Sequence, residues 1–361
     1  MPPRRHGGPA AACKGTEMIR RRHRYDGRAL IRMDRRQRRA KARVEAKIRS
    51  GLYPLETVPC AVCGGQEFTT LAEKDAFGFA HRVGACRGCG LIQAQPRTTE
   101  DAYRDLYRED YRCLFHPRTF SMDDYWEDQR TRGRRIVELL REHAARLGPD
   151  PSGLFVLEIG CGPGGILDAF RQVGCHVKGT DLDEQCLRFG RSKGLDLECG
   201  TLSGLKLDSR PDIILYSHVL EHLLRPVEEL EATREIMGDE SLLYVEVPGL
   251  QVTVSGPVCR FNFLRCLEIA HVYYFTRTSL CNLLKVAGFR PLSATDDVRT
   301  VSVKSSSSAG PIANEHDEII AFLETVERRR ARYPFTPAGM FRTCRRIAGR
   351  LLDELGLRGG A

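Results

Sequence analysis

Between residues 151 and 304, short apolar runs alternate with segments of helical period. The runs are LFVLEI (154–159), HVKGTD (176–181), IILYS (213–217) and LLYVEVP (242–248). Runs of this length predict strands, and their alternation with helices predicts a parallel sheet covered on both faces. Ahead of them, residues 98–150 read as a helical connector or lid. There Ile136, Leu139, Leu140 and Leu147 recur at helical spacing, and Gly148-Pro149 predicts the stop. KSSSSAGP (304–311) reads as a linker, and the segments 317–333 and 340–355 as amphipathic helices, within a terminal region 305–361. Near the start, residues 33–51 predict a short helix closing near Gly51. No internal repeat is present.

Composition changes this picture only at the N-terminus. The chain has 361 residues, 42% apolar and 29% charged, which is ordinary for a globular protein. No stretch approaches the roughly 20 apolar residues that span a bilayer. The Arg-rich start lacks the apolar core of a secretory signal, so a cytoplasmic location and no membrane partner are expected. The net charge of +9 is uneven: residues 1–50 hold 14 Arg and 3 Lys against 4 acids. Residues 1–55 are therefore expected to be a basic, disordered arm, or an extension ahead of a start at Met18 or Met33. Such an arm could also grip nucleic acid.

Four of the 14 cysteines form two tight pairs, Cys60/Cys63 and Cys86/Cys89, each followed by glycine (Gly64, Gly90). Each pair is a turn that aims two thiolates at one ion, and together they complete a tetrahedral, structural zinc site within residues 56–97. The other ten, Cys161 and Cys175 among them, are expected to be small core residues.

LEIGCGPGG (157–165) is a strand, a glycine turn and a helix start. Gly160, Gly162 and Gly164 are spaced Gly-x-Gly-x-Gly, and Glu158 stands at the strand end. An acid there would repel a pyrophosphate but suits a ligand bearing an ammonium group, such as the methionine part of S-adenosylmethionine. Asp181, ending the second strand, can accept hydrogen bonds from both ribose hydroxyls. In DIILYSHVLEHLLRP (212–226), His218, Glu221 and His222 cluster past the strand, at spacings that share a face on a helix. His271 could join them from another loop.

At this point the chain resembles a family. Residues 151–294 look like a class I S-adenosylmethionine-dependent methyltransferase, through LEIGCGPGG, GTDLDEQCL (179–187), DIILYSHVLEHLLRP and HVYYFTRTSLCNLLKVAGF (271–289). Residues 86–111 resemble the zinc-binding segment of one branch of that family, with Cys86 to Leu91, Pro96, Tyr103, Tyr107 and Tyr111 in its pattern. The resemblance implies an α/β, Rossmann-like, seven-stranded sheet with a small zinc module and flanking helices. It implies a cofactor site at Glu158, Asp181, Leu182, the third-strand loop and Ser217. That loop usually carries an acid near the adenine, but here it offers Thr201 and Leu202.

Three roles stay open for the histidine cluster. His222 could be a general base for a substrate hydroxyl, with Glu221, His218 and His271 around it. The set could bind a second, divalent metal, since it resembles the Glu-x-x-Glu-His pattern of ubiquinone-pathway methyltransferases with His218 in place of the first Glu. Or the Glu-His pair could only order the loop. The expected acceptor is a sugar or small metabolite methylated on oxygen. The roughly 57 residues after Lys304 are too few for the further domain of deoxysugar C-methyltransferases. C-methylation of a nucleotide sugar, RNA methylation using the arm and zinc module, and a non-catalytic cofactor-binding scaffold are the alternatives. His6, His23, His116 and His143 are expected at the surface. Tyr125 and Trp126 are expected to pack the connector helix or cover the site as a lid.

Overall fold

The computed structural model describes residues 20–115, 121–148, 150–305 and 310–332. Helix α1 (Arg35–Arg49) starts at Asp34, whose side chain accepts from Gln37 N while the Gln37 side chain takes the Asp34 amide. Its arginines face outward, but Ala40 and Val44 are fully buried beside Phe77, Phe79, Leu106 and Leu114. The expected disordered arm is thus corrected for residues 20–55: two apolar positions four apart are enough to dock the helix. Residues 1–19 lie outside the described residues. His23 is also corrected from surface to interior. It is 2% exposed, with Nδ1 3.0 Å from the Leu71 carbonyl and Nε2 3.4 Å from Glu327. His143 is half-buried, and His6 and His116 lie outside the described residues.

Strands β1 (Phe68–Lys74), β2 (Ala80–Cys86) and β3 (Ile92–Ala94) form an antiparallel sheet around the cysteine pairs. Helix α2 (Glu100–Leu106) continues through a π-helical turn (Tyr107–Tyr111) into a last turn (Arg112–Phe115). Helix α3 (Met122–Arg141) buries Trp126, Gln129, Gly133, Ile136, Val137 and Leu140 on one face. It stops earlier than Gly148-Pro149, and Ala144–Leu147 forms a separate short turn of helix.

The main sheet follows. Strands β4 (Phe155–Ile159), β5 (His176–Asp181), β6 (Asp196–Cys199), β7 (Ile213–Ser217) and β8 (Leu242–Glu246) are parallel. Helices α4 (Gly165–Arg171), α5 (Glu184–Ser192) and α6 (Pro226–Ile236) connect them. Strand β9 (Tyr273–Tyr274) leaves this body and pairs with β3, so the cysteine-bearing sheet is completed from the other end of the chain. Helix α7 (Arg277–Val286) leads to β10 (Phe289–Ala294) and the antiparallel β11 (Arg299–Lys304). The resulting order is β10-β11-β8-β7-β4-β5-β6, a seven-stranded sheet as expected. Helix α8 (His316–Arg332) closes the described chain, and the segment 340–355 lies outside it.

The chain turns one way from β4 to β5 and β6, then returns to the other side of β4 with β7 and β8. Beyond the carboxyl ends of the strands, such a reversal opens a crevice where ligands bind in open parallel sheets. Among the described residues no helix is long and apolar enough to cross a membrane. Among the other cysteines, Cys161, Cys175, Cys186 and Cys259 are buried. Cys113, Cys266 and Cys281 are half-buried, and Cys199 is exposed, so the core expectation is corrected for these four.

Candidate active site

The glycine turn sits at the reversal point. Gly160, Gly162 and Gly164 adopt positive φ (70°, 54° and 82°). A Cβ at Gly160 would lie 2.4 Å from Val219, and one at Gly164 2.6 Å from Leu195, so only glycine fits these two positions. Helix α3 clamps the turn. Gln129 accepts from Gly165 N at 2.9 Å and donates to the Cys161 carbonyl at 3.2 Å. Tyr125 lies over Gly162, with its hydroxyl 3.1 Å from where a Cβ would stand.

Glu158 is 1% exposed and its Oε2 has no hydrogen-bond partner among the described residues. Burial pushes its carboxyl well above the usual range, against the pull of the Arg132 guanidinium. A buried carboxylate oxygen without a donor is costly unless a ligand supplies one. Arg132 also reaches Ser217 Oγ at 3.3 Å, and that hydroxyl is 3.3 Å from Glu246. Asp181 accepts from Gly162 N at 2.7 Å and from Asp183 N at 2.8 Å. Burial raises its pKa, opposed by these amides. Leu182 beside it is an apolar side chain 59% exposed. Thr201 is exposed with its hydroxyl on Ser203, whereas Leu202 is buried in the same apolar cluster as Leu157 and Ile159.

The histidine cluster forms by a different geometry from the one expected. His218 is left-handed (φ 59°), and Leu220–His222 is a 3-10 turn, so the three residues do not share an α-helical face. They converge nonetheless: His218 Nδ1 lies 3.5 Å from Glu221 Oε1, and His222 Nε2 3.9 Å from the same oxygen. His271 arrives from the loop before β9, its ring 4.7 Å from that of His222. His222 Nδ1 lies 2.9 Å from the Ala270 carbonyl, which needs a proton on Nδ1 and leaves Nε2 with its lone pair. Burial pushes His222 down to about 4. Burial also works against the Glu221 carboxylate, yet His218, His222 and His271 outweigh it and hold the group at about 2. Glu221 Oε2 has no hydrogen-bond partner among the described residues.

Tyr107 and Tyr111 wall this cluster. Their rings stack at 4.4 Å and meet His222 edge-on at 5.7 and 6.2 Å. Arg112, from the same segment, pairs with Asp183 next to Asp181, so the tyrosines are fixed to the second-strand loop. On the far side Asp75, fully buried, accepts from Phe79 N (2.9 Å) and Ile269 N (3.0 Å), pinning the loop that carries Ala270 and His271.

In the small sheet Cys60, Cys63, Cys86 and Cys89 bring their sulfurs within 4.8 Å of one another. The Cys60–Cys89 and Cys63–Cys86 pairs are 3.5 and 3.4 Å apart. A tetrahedral zinc with sulfurs at about 2.3 Å needs a separation of about 3.8 Å, so small movements suffice. The Cys63, Gly88 and Leu91 amides point at the sulfurs of Cys60, Cys86 and Cys89 and favour thiolates.

Residues 125–294 match a family model described as a methyltransferase domain. The C-methyltransferase NovU of Streptomyces niveus is 27% identical over 207 residues, 55% of this chain and 46% of that protein. The ubiquinone biosynthesis O-methyltransferase of Paraburkholderia xenovorans is 30% identical over 165 residues, 39% of this chain and 71% of that protein. The chain belongs to the class I S-adenosylmethionine-dependent methyltransferases. It spans less than half the length of NovU. Among solved structures, the 1,6-didemethyltoxoflavin-N1-methyltransferase of Burkholderia thailandensis aligns with 63% of this chain and 96% of its own. Its identity is 16% and its TM-score 0.41.

The crevice thus presents two buried carboxylates, Glu158 and Asp181, as acceptors and the Arg132 guanidinium as a donor. Sequence reasoning missed Arg132, Gln129 and Asp75. Only Gln129 left a signal, as the one polar residue in the apolar stripe of α3.

Proposed function

We propose that this methyltransferase moves a methyl group from S-adenosylmethionine to a hydroxyl oxygen of a sugar or small metabolite. Supporting this most directly is the state of His222: its Nδ1 proton is committed to Ala270, and its Nε2 lone pair stands beside the ionised Glu221. Glu158 and Arg132 would hold the amino-acid end of the cofactor, Asp181 its ribose hydroxyls, and Leu182 an apolar face of its base. The cofactor supplies an electrophilic methyl group. His222 Nε2 takes the acceptor's hydroxyl proton as the oxygen attacks, and the Glu221 carboxylate stabilises the resulting imidazolium. Tyr107 and Tyr111 would keep water from the reacting oxygen. Zinc at the four cysteines would be structural, holding the small sheet against the Ala270 loop.

A divalent ion at Glu221, His222 and His271 is the second reading, favoured by ligand atoms within 4.8 Å of one another. His222→Ala lowers turnover under either reading, and rescue by a divalent ion after EDTA separates the two. If His222 is a base, turnover falls about 10²–10⁴-fold and EDTA leaves the wild type unaffected. If it is a metal ligand, EDTA abolishes wild-type turnover and Mg²⁺ or Mn²⁺ restores it. Unchanged turnover in His222→Ala removes both roles. Locating the new methyl carbon on oxygen or carbon by NMR of the product decides between O- and C-methylation.

A further inference from the structure

A cavity of about 260 Å³ lies behind the active-site loop, away from the glycine turn. Ile48, Leu55, Pro96, Ile269 and Val272 give it mainly apolar walls, and Tyr25 stands at its edge. Ile269 and Val272 bracket Ala270 and His271, so the cavity and the candidate base share one loop. The charged groups around the cavity already have partners. Arg82 binds Thr70 Oγ1, Arg97 binds Glu56 and the Leu224 carbonyl, and Glu73 accepts from Tyr25 N. His81 differs. It is 6% exposed, its Nε2 lies 3.0 Å from the Tyr274 hydroxyl, and its Nδ1 makes no hydrogen bond among the described residues. Burial pushes this imidazole down to about 3, so it is neutral, with one nitrogen a donor and the other an acceptor.

The Tyr274 hydroxyl lies 3.1 Å from both the amide and the carbonyl of Glu268, and its ring is 5.9 Å from that of His271. A group donating to His81 Nδ1 places the proton on Nε2, and Tyr274 must then direct its own proton at Glu268. A group accepting from Nδ1 leaves Nε2 free to receive the Tyr274 proton. What occupies the cavity thus sets the hydrogen bonds behind His271.

We propose that this cavity is a second ligand site for an uncharged ring compound bearing one hydroxyl, and that its occupant acts on His271 through His81 and Tyr274. The volume fits: about 150 Å³ of apolar cavity suffices for benzene. The probes are phenol and toluene, titrated into the full chain by ligand-observed NMR, with ¹⁵N-labelled histidine reporting on the rings. Phenol is expected to bind about threefold to tenfold more tightly than toluene, through one hydrogen bond. His81→Phe should erase that difference. Ala80→Trp, at an exposed position lining the cavity, should weaken both probes at least about tenfold, and so should Leu55→Trp at the half-exposed rim. Phenol should shift the His271 ring nitrogens in the wild type and not in Ala80→Trp. Equal affinity for the two probes overturns the proposal. So does phenol binding that survives both tryptophan variants, as it would in the methyl-acceptor cleft, or a His271 signal that ignores bound phenol. No turnover is needed, so the outcome is independent of the role of His222.

Discussion

Replacing Asp181 with alanine should weaken cofactor binding by a calculable amount. Two of its lone pairs accept main-chain amides, from Gly162 at 2.7 Å and Asp183 at 2.8 Å. A carboxylate offers about four such positions, which leaves two for ribose hydroxyls. A hydrogen bond to a charged acceptor contributes about 1.5–3 kcal/mol, so the loss of even one of the two corresponds to about 10–150-fold in Kd. The variant also frees the Gly162 amide, which loosens the glycine turn and acts in the same direction. Asp181→Asn preserves the shape but turns an NH₂ toward one of those amides, so it should fall between wild type and alanine. Calorimetry with S-adenosylhomocysteine gives Kd directly, and a thermal melt of each variant checks that the fold survives. A Kd within about twofold of wild type for Asp181→Ala, in a protein that still melts cooperatively, would refute the role given to this carboxylate.

Other outcomes follow from the same geometry. Gln129→Leu leaves the buried Gly165 amide without its partner, while the Cys161 carbonyl keeps the Gly164 amide, so urea denaturation should show a loss of about 1–3 kcal/mol, and unchanged stability would contradict the clamp. With His222 held at about 4, its base form persists well below the pH at which a free histidine, near 6.5, would protonate. At saturating S-adenosylmethionine, where the ligand's ammonium group holds Glu158 ionised, kcat/KM for the acceptor should therefore stay level from pH 8 to about 5 and fall only as pH approaches 4; an inflection near 6.5 would contradict it. Elemental analysis of the purified chain should find about one zinc per molecule, lost in Cys89→Ser together with thermal stability. A zinc-free, fully stable chain would remove the metal from the account.

Much of the main sheet was legible because its signal is local. IILYS and HVKGTD coincide with β7 and β5, since short apolar runs between turn residues leave little choice of element. The cysteine pairs were equally legible, each being set within four residues. What failed depended on distant partners. α1 looked like a solvated arm because its charges hide Ala40 and Val44, and His23 is buried by Glu327, about 300 residues away. The pairing of β9 with β3 joins residues 273–274 to residues 92–93, and neither segment announces the other. His218, Glu221 and His222 come together, but by a left-handed residue and a 3-10 turn, because spacings of three and four also converge in a tight turn. Asp75 and Arg132 were invisible because their meaning lies in the loops they hold, not in their neighbours along the chain.

The central claim is methyl transfer to a hydroxyl group. Its most direct test supplies the purified chain with S-adenosylmethionine carrying a tritiated methyl group and a panel of sugars and small hydroxylated metabolites. Each labelled product is then isolated and its structure determined. The account expects tritium in at least one acceptor as an O-methyl group, with the label strongly reduced in His222→Ala while S-adenosylhomocysteine still binds. Label found only on carbon, or label undiminished in His222→Ala, would contradict it.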